Sequence, residues 1–502
     1  MASQIPETQS LERLVAGQEI LFGGNRVVRV PAELAEAFAA GDQIRVVEGS
    51  GELLHIPLRE ANVARDAVER AVSAFGAMGE IEDEQISRFY EEFALRLESA
   101  EIWSEIVRSN NEDVARAAAR GRSTTRLVAS DPLRRDMIAG LRGWISMGSR
   151  RGQIIERVEH DGWRAELVGS ELGVVAFVFE GRPNVLADAT GVLRGGNTVV
   201  FRIGSDALGT AQTMMQRALD PALATAGLPA GAAVLVESSE HAAGWALFCD
   251  PRLSLAVARG SGHAVATLGA LAQQSGVPVS LHGTGGAWII ASETAQPETL
   301  SRAVADSLDR KVCNTLNVLC LPRSRAGELM PSFLAALTRA GEALGEAWRL
   351  HVVEGGEEHV PAEFFDETVS VTRAEGTRRE ARVDSIPEAE LAHEWEWERT
   401  PELSLKIVDD VDHAIDLCNR YSPQFIASLL SESSDEAERF YQRVNAPFVG
   451  DGHTRWVDGQ KALNRPELGL SNWQHGRLFG RGAVLSGDSV YSVRTRVTSE
   501  GR

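Results

Sequence analysis

The sequence is short of cysteine and contains no long apolar run. Its four cysteines stand at positions 249, 313, 320 and 418 of 502 residues. They form no Cys-x-x-Cys pair and have no nearby histidines at ligand spacing, so we expect neither a disulfide framework nor a metal site. No stretch approaches the roughly 18 apolar residues of a membrane span, and the start MASQIPETQ has no basic flank followed by an apolar core. These absences predict a soluble, cytoplasmic protein.

Positive charge is also scarce. The chain has 51 Lys and Arg against 71 Asp and Glu, which gives a formal net charge of -20. Nucleic acid and anionic membranes both need a positive field, so neither is an expected partner. The 43% hydrophobic and 24% charged content is that of ordinary globular enzymes. The length exceeds one ordinary core and predicts two or three domains.

Hydrophobic patterning divides the chain. Residues 1–60 are typical of a small β-rich appendage, with strands expected at 25–30, 42–47 and 52–56. Helical spacing begins near Arg59 and continues to about Met147. Between 171 and 290, buried-type strands alternate with segments long enough for crossover helices, at 171–179, 197–203, 232–237, 253–258 and 287–291. This alternation predicts an α/β fold with a doubly wound parallel sheet, which binds ligands at the carboxyl ends of its strands.

A second alternation runs from Val312 to about 450. Strands are expected at 316–322, 404–408 and 425–430, and the Arg- and Glu-rich segment 373–400 is predicted to be a solvated loop. The resulting boundaries are an appendage at 1–60, a cofactor-binding domain at 61–280, a catalytic domain at 281–445, and a return segment with an oligomerisation strand at 446–502.

Three motifs occur in an informative order, FEGRPNV (179–185), ARGSGHAV (258–265) and RKVCNTLN (310–317). Together with GGNTVVFR (195–202), VPVSLHGTGG (277–286), KIVDDVDHAI (406–415) and HTRWVDG (453–459), they resemble the aldehyde dehydrogenase superfamily, and within it the γ-glutamyl phosphate reductase (glutamate-5-semialdehyde dehydrogenase) branch of proline synthesis. The resemblance spans about residues 65–490. It implies a Rossmann-type cofactor domain, an α/β catalytic domain, and NADPH-dependent reduction of an activated acyl group, such as an acyl phosphate, to an aldehyde.

Cys313 is the predicted nucleophile. A free cysteine is most often a small buried hydrophobe, and for Cys249, Cys320 and Cys418 that interpretation stands. Cys313 stands in VCNTLN ahead of a strand, the setting that the family gives its nucleophile. A thiolate can attack an acyl phosphate or thioester and form an enzyme thioester, which hydride from the nicotinamide reduces to the aldehyde.

Two asparagines complete the predicted catalytic set. The resemblance assigns the stabilisation of the tetrahedral oxyanion to Asn184 of the GRPN segment, and the alternative is an ordinary turn residue after Pro183. Asn314 is predicted to position the thiol. Hydrolytic relatives carry a water-activating Glu in a Glu-Leu-Gly-Gly motif, whereas the matching SLHGTGG here has no carboxylate. Water is therefore expected to be a poor acyl acceptor.

The cofactor residues follow from the strand ends and the resemblance. Gly260, Ser261 and Gly262 open a helix and let backbone N–H groups approach a pyrophosphate. The adenosine ribose is assigned to Arg202, Gly204 and Ser205, and Arg202 favours NADP over NAD because it could pair with a 2'-phosphate. An Arg capping a strand end is the alternative. Glu398, or Glu396 if the match slips, is assigned to the nicotinamide ribose.

Substrate contacts are predicted at four residues. Arg182 and His282 are candidates for the acyl-activating phosphate, while Thr454 and Arg455 of HTRWVDG are candidates for a carboxylate or phosphate. The alternative for each is a structural turn residue or a solvated side chain. Trp395, Trp397 and Trp473 could shape an acyl pocket or belong to the core.

Two other functions stay open at this point. One is reduction of an acyl-CoA or another activated, even aromatic, acid in secondary metabolism, and the other is a non-catalytic binding or assembly protein. Residues 490–497 alternate like an edge strand able to pair with another subunit, which predicts a homodimer or homotetramer.

Overall fold

The computed structural model describes residues 10–122, 124, 127–179, 181–373, 376–457, 473–474, 477–478 and 489–499. The chain divides into two compact units. Unit 1 comprises residues 1–120, 124–283 and 486–502, and unit 2 comprises residues 121–123 and 284–485. Among the described helices, none is long and apolar enough to cross a membrane.

Unit 1 is built from ten helices and eleven strands up to residue 283, all within its described part. The strands are β1 Glu19–Phe22, β2 Arg26–Arg29, β3 Gln43–Val46, β4 Leu53–Ile56, β5 Ile154–His160, β6 Trp163–Glu171, β7 Val174–Phe179, β8 Thr198–Ile203, β9 Ala233–Leu235, β10 Leu253–Arg259 and β11 Val279–His282. The helices are α1 Ala32–Ala37, α2 Leu58–Met78, α3 Asp83–Glu98, α4 Ala100–Ala119, α5 Asp131–Ser146, α6 Val185–Ala189, α7 Leu208–Met214, α8 Asp220–Ala226, α9 His241–Phe248 and α10 Gly262–Gln274.

The centre of unit 1 is a five-stranded parallel sheet in the order β11-β10-β7-β8-β9. Strand β7 is the apolar run VVAFVF, and all six of its residues are buried, as expected for a parallel strand covered on both faces. Crossover connections such as α10, between β10 and β11, bring the carboxyl ends of all five strands to one edge. The doubly wound sheet is therefore confirmed, and its ligand-binding edge carries the loops after β7, β8 and β10.

The N-terminal residues are part of unit 1 and hold more than three strands. The predicted strands appear as β2, β3 and β4, while β1 and α1 were not foreseen. Val47 and Leu54 of the β3–β4 hairpin pack with Leu271 on α10. The hairpin therefore covers a helix of the central sheet.

The C-terminal strand pairs inside its own chain. This strand, β23 Tyr491–Ser499, runs antiparallel to β6 along its whole length, in a three-stranded sheet of order β23-β6-β5. Glu166 of β6, fully shielded from solvent, accepts from Arg157 and Arg496 on the strands either side. The strand predicted to pair with another subunit therefore pairs with β6 of its own chain.

Unit 2 contributes the remaining elements of the described chain. Its strands are β12 Ala287–Ala291, β13 Leu316–Pro322, β14 Arg349–Val353, β15 Thr368–Arg373, β16 Gly376–Ala381, β17 Val383–Ile386, β18 Glu402–Val408, β19 Ile426–Leu430, β20 Phe448–Gly450, β21 Trp473–Gln474 and β22 Arg477–Leu478. Its helices are α11 Pro297–Asp306, α12 Ala326–Leu344, α13 Glu363–Asp366, α14 Val411–Tyr421 and α15 Ser434–Arg443.

A seven-stranded parallel sheet, in the order β17-β14-β18-β13-β12-β19-β20, forms the core of unit 2. Its central strand β13 is completely buried, and the apolar side chains of α11 and α12 pack against one face of the sheet. Residues 287–291, counted with the first alternation in the sequence, form β12 of this second sheet, next to β13 and β19. The sequence of a buried strand does not indicate which sheet the strand joins.

The segment 373–400 is not the solvated loop that its charge suggested. It supplies part of the β15–β16 hairpin and the whole of β17, and Trp397 is buried in the core of unit 2. Arg373 is paired with Glu380 and Glu402, so much of the charge in this region is neutralised internally. Composition could not show this, because the pairing depends on strands distant in sequence.

Candidate active site

The thiol loop, residues 309–315, precedes β13 in unit 2 and is held by its own backbone. Thr315 is the centre: its Oγ1 donates to the Arg310 carbonyl at 2.7 Å and accepts from the Val312 amide at 2.9 Å. The carbonyl of Cys313 accepts from the Gly286 amide at 2.8 Å. Cys313 is half-buried beside an apolar cluster that includes Phe425 and Phe448.

Burial sets Cys320 and Cys418 apart from Cys313, whereas Cys249 is partly buried like Cys313. Cys320 and Cys418 lie in the core of unit 2, and burial raises the pKa of Cys418 to about 12 and that of Cys320 still further. Burial also raises the pKa of Cys249 in unit 1. Because the thiolate is the nucleophilic form, these three thiols are poor candidates for catalysis.

Asn314 is anchored from the far side of the loop by Thr454 and Arg455. Thr454 Oγ1 donates to the Asn314 carbonyl at 2.7 Å, and Arg455 Nη1 donates to Asn314 Oδ1. Arg455 Nε also donates to Asp309 Oδ1 at 2.7 Å. These bonds hold Asn314 in place within the thiol loop, and its role in positioning the thiol stays a prediction.

Thr454 and Arg455 do not occupy the positions expected of substrate contacts. Thr454 is fully buried, and its amide donates to Ser307 Oγ at 2.8 Å, while Arg455 is almost fully buried. The structure thus corrects the prediction: these residues fasten the thiol loop. The sequence motif located the right neighbourhood, but a single sequence does not show on which side of the loop a side chain lies.

Glu394 is a residue of the site that the sequence reading missed. One carboxylate oxygen accepts from the Gly285 amide at 2.6 Å, and the other accepts from Lys311 Nζ at 2.7 Å. A Cβ on Gly285 would stand 2.6 Å from Cys313 Cα and 2.7 Å from Glu394 Oε1, so only glycine fits between them. The expected Glu398, like the alternative Glu396, is exposed, and Glu394 lies beside the thiol loop instead.

Asn317 holds the segment that carries Glu394. Its Nδ2 donates to the His393 carbonyl at 2.8 Å, and its Oδ1 accepts from the Trp395 amide at 2.9 Å. The Trp395 ring stacks on His351 at 3.5 Å between centroids. Glu394 is thus held in place through the residues on either side of it, His393 and Trp395.

His351 lies between two carboxylates. Its ring nitrogens contact Asp384 Oδ1 at 2.5 Å and Glu402 Oε1 at 2.9 Å. Burial lowers the pKa of His351, but the hydrogen bonds to Asp384 and Glu402 outweigh it and raise the pKa above its ordinary value. A protonated imidazole donates to both carboxylates and lies under an aromatic face, which suits a cation.

In unit 1, a second group of candidate residues lies at the carboxyl ends of β7, β10 and β11. We define the arginine cluster as Arg182, Asp188, Arg259 and His282. Arg259 ends β10 in register with Phe179 of β7 on one side and with His282 of β11 on the other. Its guanidinium lies over the Phe179 ring, 5.6 Å from the centroid.

The two arginines act on both titratable members of the cluster. Burial, and after it the positive charges of Arg259 and Arg182, lower the pKa of His282 to about 3, so its imidazole is neutral at physiological pH. Burial raises the pKa of Asp188 to about 6, although Arg259, the hydrogen bond from Asn184 and Arg182 all lower it. Asn184, the predicted oxyanion donor, gives its Nδ2 to Asp188 Oδ2 at 2.6 Å.

The glycine turn after β10 has the form expected of a dinucleotide site. Ser261 is exposed and extended, Gly262 is the first residue of the 13-residue helix α10, and the Gly260 amide donates to the His282 carbonyl at 3.3 Å. A Cβ on Gly283 would come within 3.0 Å of Gly262 Cα. Gly283 thus packs closely against the start of α10, and the exposed Ser261 precedes this helix N-terminus, a kind of position that can bind phosphate.

Arg202 ends β8 and is only 4% exposed. Its Nη2 donates to the Ser239 carbonyl at 3.1 Å, while its buried Nε has no hydrogen-bond partner in the described part of the chain. Burial lowers the pKa of Arg202, and the charges of Glu240 and Glu60 oppose this. Gly204 follows, with its amide bonded to the Phe179 carbonyl at 3.1 Å, and Ser205 is half-buried beside it.

The chain is similar to proteins of known family and structure. The sequence profile described as "Aldehyde dehydrogenase family" matches residues 42–347. A γ-glutamyl phosphate reductase of Anaeromyxobacter sp. (strain Fw109-5) is 31% identical over 379 residues, which cover 73% of this chain and 81% of that protein. One from Zymomonas mobilis is 28% identical over 422 residues, covering 82% and 89%.

Solved structures show the same fold. A γ-glutamyl phosphate reductase from Thermotoga maritima superposes with a TM-score of 0.75 at 22% identity, covering 88% of this chain and 99% of that one. An engineered glycolyl-CoA reductase with bound NADP+ superposes with a TM-score of 0.59 at 16% identity, covering 87% and 97%.

Proposed function

The chain belongs to the aldehyde dehydrogenase family, and on that premise we propose that it reduces an acyl phosphate to the aldehyde through a thioester at Cys313. The observation that carries this is the thiol loop: Cys313 alone of the four cysteines is half-buried in a loop held on both sides by hydrogen bonds. The relatives named γ-glutamyl phosphate reductase support γ-glutamyl phosphate, or an acid of similar shape, as the acyl phosphate, and thereby a role in proline synthesis.

The chemistry assigned to the chain has two steps. The Cys313 sulfur attacks the acyl carbon, the bond from that carbon to the phosphate oxygen breaks, and phosphate leaves with the electron pair. The reduced nicotinamide, when bound, supplies the hydride for the acyl group. The carbon–sulfur bond then breaks, which releases the aldehyde and returns the thiolate.

The arginine cluster of unit 1 has the chemistry to bind a phosphate group. Arg182 and Arg259 offer guanidinium groups suited to bidentate contact with phosphate oxygens, and neutral His282 can donate or accept. Arg259 was not among the residues predicted from the sequence. Its position between Phe179 and His282 makes it part of the same strand-end edge.

Glu394 does not restore the missing water-activating carboxylate. Both of its oxygens already accept hydrogen bonds, one from the Gly285 amide and one from the Lys311 ammonium. Because a donor already occupies each oxygen, this carboxylate is poorly placed to activate a water molecule. The thioester is therefore expected to return to phosphate in the reverse reaction more readily than to hydrolyse.

NADP is the proposed cofactor, with NAD bound less tightly. Gly260, Ser261 and Gly262 would hold the pyrophosphate, and Arg202 with Gly204 and Ser205 the adenosine ribose. The buried Nε of Arg202 has no hydrogen-bond partner among the described residues, and this supports the assignment because the Nε–H could donate to a 2'-phosphate. The proposal extends to a cytoplasmic homodimer or homotetramer, supported by β23 as an outer strand of its sheet.

The test is to trap the acyl enzyme. The protein is mixed with γ-glutamyl phosphate, or a stable acyl phosphate such as acetyl phosphate, without NADPH, and digested. Mass spectrometry should find the acyl group on the peptide that contains Cys313. An adduct on Cys249, Cys320 or Cys418 instead would overturn the mechanism. In the reverse direction, aldehyde oxidation should depend on inorganic phosphate, and equal rates with coenzyme A alone would point to an acyl-CoA substrate.

A further inference from the structure

The Lys311–Glu394 pair connects three segments around Cys313. Lys311 belongs to the thiol loop, Glu394 lies within the long β17–β18 connection, and Gly285 lies in the turn before β12. Lys311 and Glu394 are 83 positions apart in sequence, yet their side chains are only 6% and 15% exposed. A buried pair of this kind is costly to desolvate, so its location beside the predicted nucleophile calls for a reason other than stability.

The pair lies within electrostatic reach of the thiol. Glu394 Oε1 and Cys313 Cα are each within 2.7 Å of the point where a Cβ on Gly285 would stand, and Lys311 Nζ is 2.7 Å from that same Glu394 oxygen. Water is largely excluded from both side chains, so a unit charge here is felt more strongly than at the surface. The two charges have opposite effects: an ammonium favours the thiolate and a carboxylate disfavours it.

Other charged groups of unit 2 surround the loop. Arg310 and Asp309 lie on the loop itself, Arg455 binds Asn314 and Asp309, and His393 precedes Glu394. Asp309 and Arg455 form an ion pair at 2.7 Å and largely cancel each other. Lys311 and Glu394 are the buried pair that can be altered without removing the hydrogen bonds that hold Asn314.

We propose that Lys311 is the cation that holds Cys313 in its thiolate form, and that Glu394 positions this ammonium and moderates its charge. The inference rests on the proposed function, since it takes Cys313 as the nucleophile. Lys311 and Glu394 act through the sulfur and are positioning residues. Because the charges of Lys311 and Glu394 are opposite, the pair can favour the thiolate without leaving an isolated buried charge.

The experiment measures the thiol directly, without substrate or cofactor. The rate of iodoacetamide alkylation of the Cys313 peptide is followed by mass spectrometry between about pH 5 and about pH 9. This range includes the pKa of a typical activated thiol, roughly 7, with about two units on either side. Lys311→Met should move the half-maximal pH of alkylation upward by roughly one unit, and Glu394→Gln should move it downward by about half a unit or more. At pH 5, below these midpoints, this corresponds to alkylation roughly tenfold slower and about threefold faster, respectively.

The opposite signs separate this role from a structural one. If the pair only braced the loop, both substitutions would loosen it and shift the rate in the same direction, which would overturn the proposal, as would no shift. The double variant should return close to the unmodified protein, and Lys311→Arg should keep its rate. If Lys311→Met does not fold, a slower rate in Glu394→Gln is by itself enough to refute the idea.

A matched control comes from the same unit. Lys406 and Glu388 form another Lys–Glu pair, at 2.9 Å, between β18 and the residues after β17. Lys406→Met should leave Cys313 alkylation unchanged. Because alkylation needs no turnover, these results stand whether or not an acyl phosphate is the substrate. Failure of acyl trapping would reject the proposed function but would not affect the conclusions from alkylation.

Discussion

The thiol loop of unit 2 and the arginine cluster of unit 1 differ in how they are held. Asn314 and Thr315 in the thiol loop are almost fully buried, and their polar groups are met by Thr454, Arg455 and the loop's own backbone. The arginine cluster is more open, with Arg182 exposed and with two guanidinium groups close enough to His282 to lower its pKa. A reacting atom needs a fixed position, whereas a charged ligand must enter and leave, and the two regions follow these different needs.

The largest expected effect comes from removing the thiol itself. Cys313→Ala should lower the rate of reduction by roughly a thousandfold or more, because no other group can form the thioester. NADPH binding, measured by fluorescence titration, should stay nearly the same. Cys249→Ala is the control and should remain active. A Cys313→Ala protein that kept a tenth of the normal rate would contradict the assignment of the reaction to the thiol loop and of binding to the arginine cluster.

Arg455 tests whether the thiol loop is fastened from behind. Arg455→Ala leaves the Asn314 Oδ1 acceptor and the Asp309 carboxylate without their donor, and should lower the free energy of unfolding by about 2 to 3 kcal/mol. Urea unfolding followed by tryptophan fluorescence measures this. Arg439→Ala, an exposed residue in surface ion pairs, should change stability little. A higher KM for the acyl phosphate with an unchanged free energy of unfolding would instead indicate that Arg455 contacts the substrate.

Arg259 tests the opposite role for the arginine cluster. Arg259→Gln should raise the KM for the acyl phosphate by about 10- to 30-fold, the scale of one charge-assisted hydrogen bond, with a smaller effect on kcat. Steady-state kinetics with saturating NADPH give both constants. Arg252→Gln, at the start of the same strand region and paired with Asp250, is the control. If the KM for NADPH rose and that for the acyl phosphate did not, Arg259 would belong to the cofactor site.

The smallest expected effect concerns the pH dependence of stability. Because the pKa of Asp188 is raised to about 6 in the folded protein from 3.8, the folded state binds the proton more tightly, and stability is lost as pH rises from about 4 to 6. Asp188→Asn should remove this loss, so the free energy of unfolding should fall less between pH 4 and pH 7 in the variant than in the unmodified protein, by about 2 kcal/mol. Denaturant unfolding at the two pH values measures the difference, and an identical change with pH in both proteins would contradict it.

Local sequence predicted the parts of the site that depend on neighbouring residues. The strand alternation indicated both parallel sheets, and the Cys-Asn setting ahead of β13 singled out one thiol of four. The alternation is confirmed because a buried strand is encoded within a few positions, whereas the role of the thiol stays a prediction. The glycine turn after β10 was found for the same reason, since its helix follows immediately.

The family relationship is shown by comparison, but the roles of individual residues were less accessible. Glu394 was missed in favour of Glu398 because HEWEWERTPE offers several carboxylates and a shift of a few residues changes which one faces inward. Thr454 and Arg455 were assigned to the substrate although they are buried behind the loop. Charge alone suggested a solvated segment at 373–400, where ion pairs between distant strands neutralise it.

By itself, then, the sequence determined the α/β alternation, the thiol and the glycine turn, because each is a pattern within one short segment. Tertiary structure decided which charges meet: Lys311 with Glu394, Arg455 with Asp309, and Arg259 beside His282. Parallel sheets bring together strand ends that lie tens of residues apart, and their order is set by crossover connections. The electrostatic surroundings of Cys313 are therefore a property of sheet order and loop packing, which no local pattern records.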